Sequence, residues 1–261
     1  MPTEQIYMEK YDDVATIYFN RPEKRNGLSY DMWVTISELM DECEHDKQIK
    51  VVMFRGVDAT AFSAGADISE FKTLRYTAEG ADKYNRATLI AEEKVMHLSK
   101  PTIAMIQGFC VGGGCEIALA CDFRFSDHTG RFGITPAKLG LVYNLPGTKN
   151  LVDLVGPAKA KDILFTGRLL NADEAYRIGL VDRIYTSEEM VDKTYEYAAL
   201  ICRNAQFSVR GSKYIIGKVL EGAVRDTPEI AQLVLESFET DDYREGVNAF
   251  LEKRHAQFRY C

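Results

Sequence analysis

The sequence predicts an α/β fold with a mostly parallel sheet, continued by a helical C-terminal region. Three observations carry this expectation. Short apolar runs of strand length, Val51-Val52-Met53-Phe54, Pro101 to Gly108 and Phe123-Arg124-Phe125, are separated by segments of helical periodicity. Small-residue turns lead from the first two runs toward helices, the pattern of right-handed βαβ units. From Gly156 onward the apolar spacing becomes helical. With 261 residues the chain can bury a substantial core, which we divide into a core over 1–200 and a helical region over 201–261.

Each element has its own local reason. Ile6 to Lys10 and the alternating Val14 to Phe19 form a hairpin across a polar turn at Asp12-Asp13. Asn20 to Gly27 is a loop by its proline, glycine and charge content. Asp31 is placed as the cap of a helix reaching about His45, with Trp33, Ile36, Leu39 and Met40 on one face. Ala61 to Asp67 is a small-residue loop, and Ala78 to Leu98 is a helix. Gly112-Gly113-Gly114 closes the second apolar run and opens a helix near Cys115. Asn171 with Glu174 suits the start of a helix over Ala172 to Ile178, Val181 to Tyr185 is a short strand, and Ser187 to the end reads as helices.

Composition excludes several classes. A net charge of −7 disfavours binding to nucleic acid or to an anionic membrane surface. Cys110, Cys115 and Cys121 lack zinc-knuckle spacing, so no metal site is expected. Met1 to Lys10 is charged and has no apolar run, and the stretch Pro101 to Ala120 is interrupted by glycines, Gln107 and Glu116. Neither a cleavable leader nor a membrane span is expected, which leaves the cytoplasm as the expected location. His45, His97, His128 and His255 lie in charged or loop segments and read as surface residues. Ser63 is outside any G-x-S-x-G elbow.

Two loops carry chemistry. Gly112-Gly113-Gly114-Cys115-Glu116 joins a strand to a helix, so its backbone can approach a ligand and present free N–H groups where negative charge is favoured. Glu116 then stands beside whatever those amides hold. Alone, such a turn fits a packing role equally well, with Glu116 complementing the helix dipole. The spacing matches neither G-x-G-x-x-G nor the phosphate-binding G-x-x-x-x-G-K-[ST]. Phe62-Ser63-Ala64-Gly65-Ala66-Asp67-Ile68 is a second loop of the same kind, and two such turns can each lend one N–H to a single oxygen.

Together these segments resemble the crotonase family, which includes the enoyl-CoA hydratases and isomerases. The resemblance spans nearly the whole chain: Phe19-Asn20-Arg21-Pro22 with Asn26, Ala64 to Ile68, Gly112 to Glu116, Ala120-Cys121-Asp122, Phe132-Gly133, Leu139-Gly140-Leu141, and Leu164 to Gly167 ahead of Ala175. It implies a crotonase-like spiral of βαβ units with a helical trimerisation region, assembled as a homotrimer or dimer of trimers. The substrate it implies is a coenzyme A thioester, with no tightly bound cofactor. The backbone N–H groups of Ala66 and Gly113 would bind the thioester oxygen, and Glu116 would act as acid or base. Lys24, Arg25 and Leu28 would face the nucleotide end, and Ala64, Ala66, Asp67, Ile68, Gly112 and Gly113 would line the path. Phe250 and Lys253 would complete the site from the tail.

The sequence departs from a hydratase at one position. The second glutamate of that chemistry belongs to a phenylalanine-glycine-x-x-glutamate segment, and here Phe132-Gly133-Ile134-Thr135-Pro136 places Pro136 there. The stretch Ile134 to Leu145 and the tail Asp242 to Arg254 instead look like the methylmalonyl-CoA decarboxylase branch, in which Tyr143 would orient the departing carboxylate or protonate the carbanion. That branch has a histidine where this chain has Ala66. The expected function is an acyl-CoA lyase, hydratase-like or decarboxylase-like. A non-catalytic acyl-CoA-binding protein of the same fold is the alternative.

Overall fold

A computed structural model describes residues 4–72 and 74–259. Its strands are β1 (Ile6–Tyr11), β2 (Val14–Phe19), β3 (Val51–Gly56), β4 (Ala61–Ser63), β5 (Thr102–Ile106), β6 (Phe109–Val111), β7 (Phe123–Asp127), β8 (Arg131–Gly133), β9 (Leu170–Asn171) and β10 (Arg183–Tyr185). The helices are α1 (Tyr30–His45), α2 (Ala78–His97), α3 (Gly113–Ala120), α4 (Leu145–Thr166), α5 (Ala172–Arg177), α6 (Met190–Cys202), α7 (Gln206–Leu220), α8 (Pro228–Ser237) and α9 (Asp241–Leu251).

The strands make two sheets. One has the order β1-β2-β3-β5-β7-β10, parallel except for the β1–β2 hairpin. The other has the order β4-β6-β8-β9, with β9 antiparallel. Chain order explains the pairing of the sheets. Each of β3, β5 and β7 is succeeded at once by a strand of the smaller sheet, so each turn of the spiral contributes one strand to each. The apolar pattern predicts β5 but no separate β6, it puts β4 in a loop, and it names no strand at β8. Strands of three residues carry too little periodicity to announce themselves.

The large sheet is buried on both faces. Val52, Phe54, Ala104 and Ile106 point toward the core shared with α1, α2 and α3. The alternate residues Val51, Met53, Ile103, Met105 and Phe125 pack against Met190, Ala198 and Cys202 of α6. This double burial is why those strands read as continuous apolar runs. The boundary drawn at residue 200 falls within α6, which packs on β3, β5 and β7.

Two helix starts differ from expectation. The cap of α1 is Ser29, whose side chain accepts from the Met32 amide, while Asp31 sits in the first turn. Helix α4 begins at Leu145, capped by Asn144, and Gly156 is a non-helical kink inside it rather than its start. The Asn171 cap forms as expected, accepting from the Glu174 amide.

The loop after β2 is tied to the rest by buried polar groups. The Asn26 amide nitrogen donates to the Ala61 carbonyl at 2.7 Å, and its oxygen accepts from the Arg21 amide at 2.8 Å. Arg21 in turn reaches the Gly27 carbonyl and, at 2.7 Å, the Asp67 carboxylate. Asn26 also holds φ at +55°, which asparagine tolerates better than most residues. Asn26→Ala is therefore expected to cost about 2–4 kcal/mol, two buried hydrogen bonds plus the backbone penalty. A lower urea midpoint at unchanged slope is the expected measurement.

Candidate active site

The two small-residue loops emerge from the C-terminal ends of adjacent parallel strands, β4 and β6, and touch. Gly65 has φ +102°, and a Cβ there would stand 3.0 Å from the Val111 carbonyl and 3.6 Å from the Gly113 nitrogen. Gly112 has φ +51° and ψ −120° and turns the chain directly into α3. Only glycine adopts these conformations without strain. On the far side, a Cβ on Gly113 would meet the Trp33 ring at 2.8 Å.

The backbone pairing decides where the amides point. Leu28 bridges the Ala66 loop, donating to the Gly65 carbonyl at 2.7 Å and accepting from the Asp67 amide at 2.8 Å. In such a parallel bridge the intervening Ala66 directs its own N–H away from Leu28. Gly113 is the first residue of α3, and its N–H precedes the first helical bond, Glu116 to Gly112. Among the described residues, neither the Ala66 nor the Gly113 N–H has a protein acceptor.

Glu116 occupies the first turn of α3 and keeps partial access to solvent. Burial pushes its carboxyl above the usual range, opposed by Glu92, Tyr143 and the nearby Arg75 charge. The Tyr143 hydroxyl is sealed from solvent and faces Glu116 without a well-aligned hydrogen bond. Burial, together with the Glu116 and Glu92 charges, pushes that hydroxyl well above its ordinary range. Sequence reading thus named two of the titratable groups that gather here.

The pattern of residues 9–260 matches the enoyl-CoA hydratase/isomerase family. The chain belongs to that family, the crotonases. The crotonyl-CoA hydratase of Syntrophomonas wolfei is 35% identical over 99% of both chains. The short-chain-enoyl-CoA hydratase of Clostridium acetobutylicum is also 35% identical, over 97% of both. A crystal structure of a Hyphomonas neptunium protein assigned to the family shares 41% identity and superposes with a TM-score of 0.96, covering 98% of each chain.

The residues expected along the coenzyme A path of this crotonase are placed unevenly. Ala64 and Arg25 are exposed, joined by the Ala64 amide to the Arg25 carbonyl at 2.9 Å. Ile68 is 71% exposed beside them. The Leu28 side chain is fully buried, so it shapes the loop from beneath. Lys24 is 2.9 Å from Asp67, so its ammonium is already partnered. Asp67 accepts from Arg21, Lys24 and Ser69, which hold its carboxyl well below the usual range although burial opposes them. Phe250 is 83% exposed on α9. All four histidines are exposed, as expected. An open groove of about 600 Å³ between β1 and α1 contains none of these groups.

Sequence reading missed Glu92, Tyr84 and Arg75. Tyr84, Thr88 and Glu92 lie four residues apart and form a buried polar stripe on α2. That spacing was the available signal. Tyr84 accepts from the Trp33 indole N–H at 3.0 Å, linking α2 to the ring beneath Gly113. The Arg75 guanidinium lies 4.6 Å from the ring centres of Phe71 and Tyr84. Glu92 is 3% exposed, its Oε1 has no hydrogen-bond partner, and burial with the adjacent Glu116 pushes its carboxyl up to about 9.

A carboxyl raised in the folded state favours folding fully below its unfolded value near ~4.3, and that contribution fades as pH rises toward the folded value. Wild-type unfolding free energy should therefore carry a falling component from about pH 5 to pH 9, the latter being the Glu92 range. Glu92→Gln should remove that component, as measured by urea titrations across the interval. Parallel pH profiles for the two proteins would contradict it.

Proposed function

We propose that this crotonase binds an acyl-CoA thioester and stabilises the enolate formed when a bond beside the carbonyl is made or broken. The observation that supports this most directly is the pair of free N–H groups, Ala66 and Gly113, on touching loops beside Glu116. Each donor in such an oxyanion hole contributes about 3 kcal/mol of transition-state stabilisation. The donors cost no reorganisation during reaction, because Leu28, Trp33 and the Gly65–Val111 contact hold both loops. Glu116 is the acid–base group, its carboxyl raised toward the pH at which a proton moves either way. Arg25, Ala64 and Ile68 are the exposed groups on the approach to these loops, and we assign the coenzyme A path to them. In this reading no tightly bound cofactor takes part.

Hydration is the reading favoured by the retained Glu116 and by the named activities of the two relatives. Decarboxylation is a second reading, favoured by Pro136 at the second-glutamate position and by Tyr143 beside Glu116. Decarboxylation needs no strong base at the α-carbon, only the oxyanion hole and a pocket that desolvates the departing carboxylate. A panel of enoyl-, malonyl- and methylmalonyl-CoA thioesters, read by mass spectrometry, separates the two by gain of water or loss of carbon dioxide. Unchanged thioesters throughout would leave a binding protein. Glu116→Gln should lower turnover by roughly 10²–10⁴-fold for a hydratase. For a decarboxylase, Tyr143→Phe should be the more damaging change.

We also assign the chain to a homotrimer or dimer of trimers. Val142 and Leu145 are 99% and 80% exposed in one chain, and Phe165, Phe238 and Leu251 are exposed as well. Such surface is normally covered by a partner. Sedimentation should return three or six times the 29.5 kDa chain mass, and a monomer would overturn the assignment.

A further inference from the structure

Pro136 leaves the loop after β8 without a carboxyl at that position, and helix α2 supplies another carboxyl beside Glu116. Helix α2 packs on α3 and buries Glu92 against Glu116. A buried carboxyl kept for structure alone takes a cation or fills its lone pairs with hydrogen bonds. Glu92 does neither: it has no ion pair among the described residues, and its Oε1 has no partner. We propose that Glu92 is a positioning residue of the active site, a neutral carboxyl whose O–H donates to the Glu116 carboxylate and sets its protonation and orientation. This inference rests on the acid–base role given to Glu116.

The surrounding charges agree. Glu116 and Glu93 both disfavour a second negative charge at this place. The Arg75 charge acts on Glu116 and Tyr84. Two carboxyls in contact without a cation between them titrate as a pair, and burial extends the singly protonated form to higher pH.

One shared proton completes a hydration cycle with a single relaying group. As a water oxygen bonds to the β-carbon, its O–H bond breaks and that proton passes to Glu116, while the C=C pair shifts between the α-carbon and the carbonyl carbon and the carbonyl π pair moves onto the thioester oxygen. Glu116 then returns a proton to the α-carbon, the enolate pair becomes the new C–H bond, and Glu92 still holds the shared proton.

The test combines infrared spectroscopy with pH-resolved kinetics. At pH 7 the wild-type protein should show the carbonyl band of a protonated carboxyl, and Glu92→Gln should lack it. On the thioester that the panel finds to be turned over, Glu92→Gln should lower kcat by roughly tenfold to a hundredfold. KM should stay within about twofold, and the alkaline fall of the wild-type profile near the Glu92 range should vanish. Absence of the band, or an equal loss of turnover at every pH, would overturn the proposal. Glu116→Gln measured alongside separates the two claims. If it is inert while Glu92→Gln matches wild type, Glu92 alone is misassigned. If Glu116→Gln remains fully active, the acid–base reading fails, and the infrared band still decides whether the carboxyls share a proton.

Discussion

The contact between the loops after β4 and β6 is the constraint on which the rest of the site depends. The loops meet at Gly65 and Gly112 with no side chain between them, because a Cβ on Gly65 would crowd the Val111 carbonyl. Leu28 holds the first loop by two backbone hydrogen bonds, and Trp33 closes the space beneath Gly113. Two N–H groups are left over once the neighbours have been paired. The spiral topology makes this possible, since successive turns place the ends of β4 and β6 side by side in a parallel sheet.

Burial then gives the adjoining side chains their character. Helix α3 brings Glu116 up in its first turn, α2 brings Glu92, and the segment before α4 brings the Tyr143 hydroxyl. In water these groups would titrate independently. Here burial raises all three, Glu116 raises Glu92 and Tyr143 further, and the hydrogen bonds of Glu92 and Tyr143, together with the Arg75 charge, partly relieve Glu116. Asp67, the residue after Ala66, shows the opposite behaviour because Arg21, Lys24 and Ser69 surround it. The same loop thus carries one carboxylate that is locked ionised, while the neighbouring helices carry two that are reluctant to ionise. The first anchors the loop, and the others are free to exchange protons.

Much of this was legible in the sequence, for identifiable reasons. The long strands of the large sheet were visible because they are apolar on both faces, and α2 was placed within one residue of its end. The glycine-rich and alanine-rich loops stood out because small residues are required where backbones touch. The second sheet was invisible, since β4, β6 and β8 are three residues each and are defined by partners far along the chain. Glu92 was missed for a related reason. A glutamate beside Glu93 and Lys94 in a polar helix reads as a solvated face until α3 is packed against it. The start of α4 was misplaced because Gly156-Pro157 has the composition of a boundary, whereas the chain only kinks there and continues.

The central claim concerns charge on one oxygen, and vibrational spectroscopy reads that oxygen directly. An acyl-CoA carrying carbon-13 at its thioester carbonyl, bound to the protein and observed by isotope-edited infrared difference spectroscopy, reports the polarisation of that bond. Two converging amide donors should move the carbonyl stretch to lower frequency than in water, with the shift preserved in Glu116→Gln because the donors are backbone groups. A bound thioester whose carbonyl stretch equals or exceeds its value in water would contradict the account.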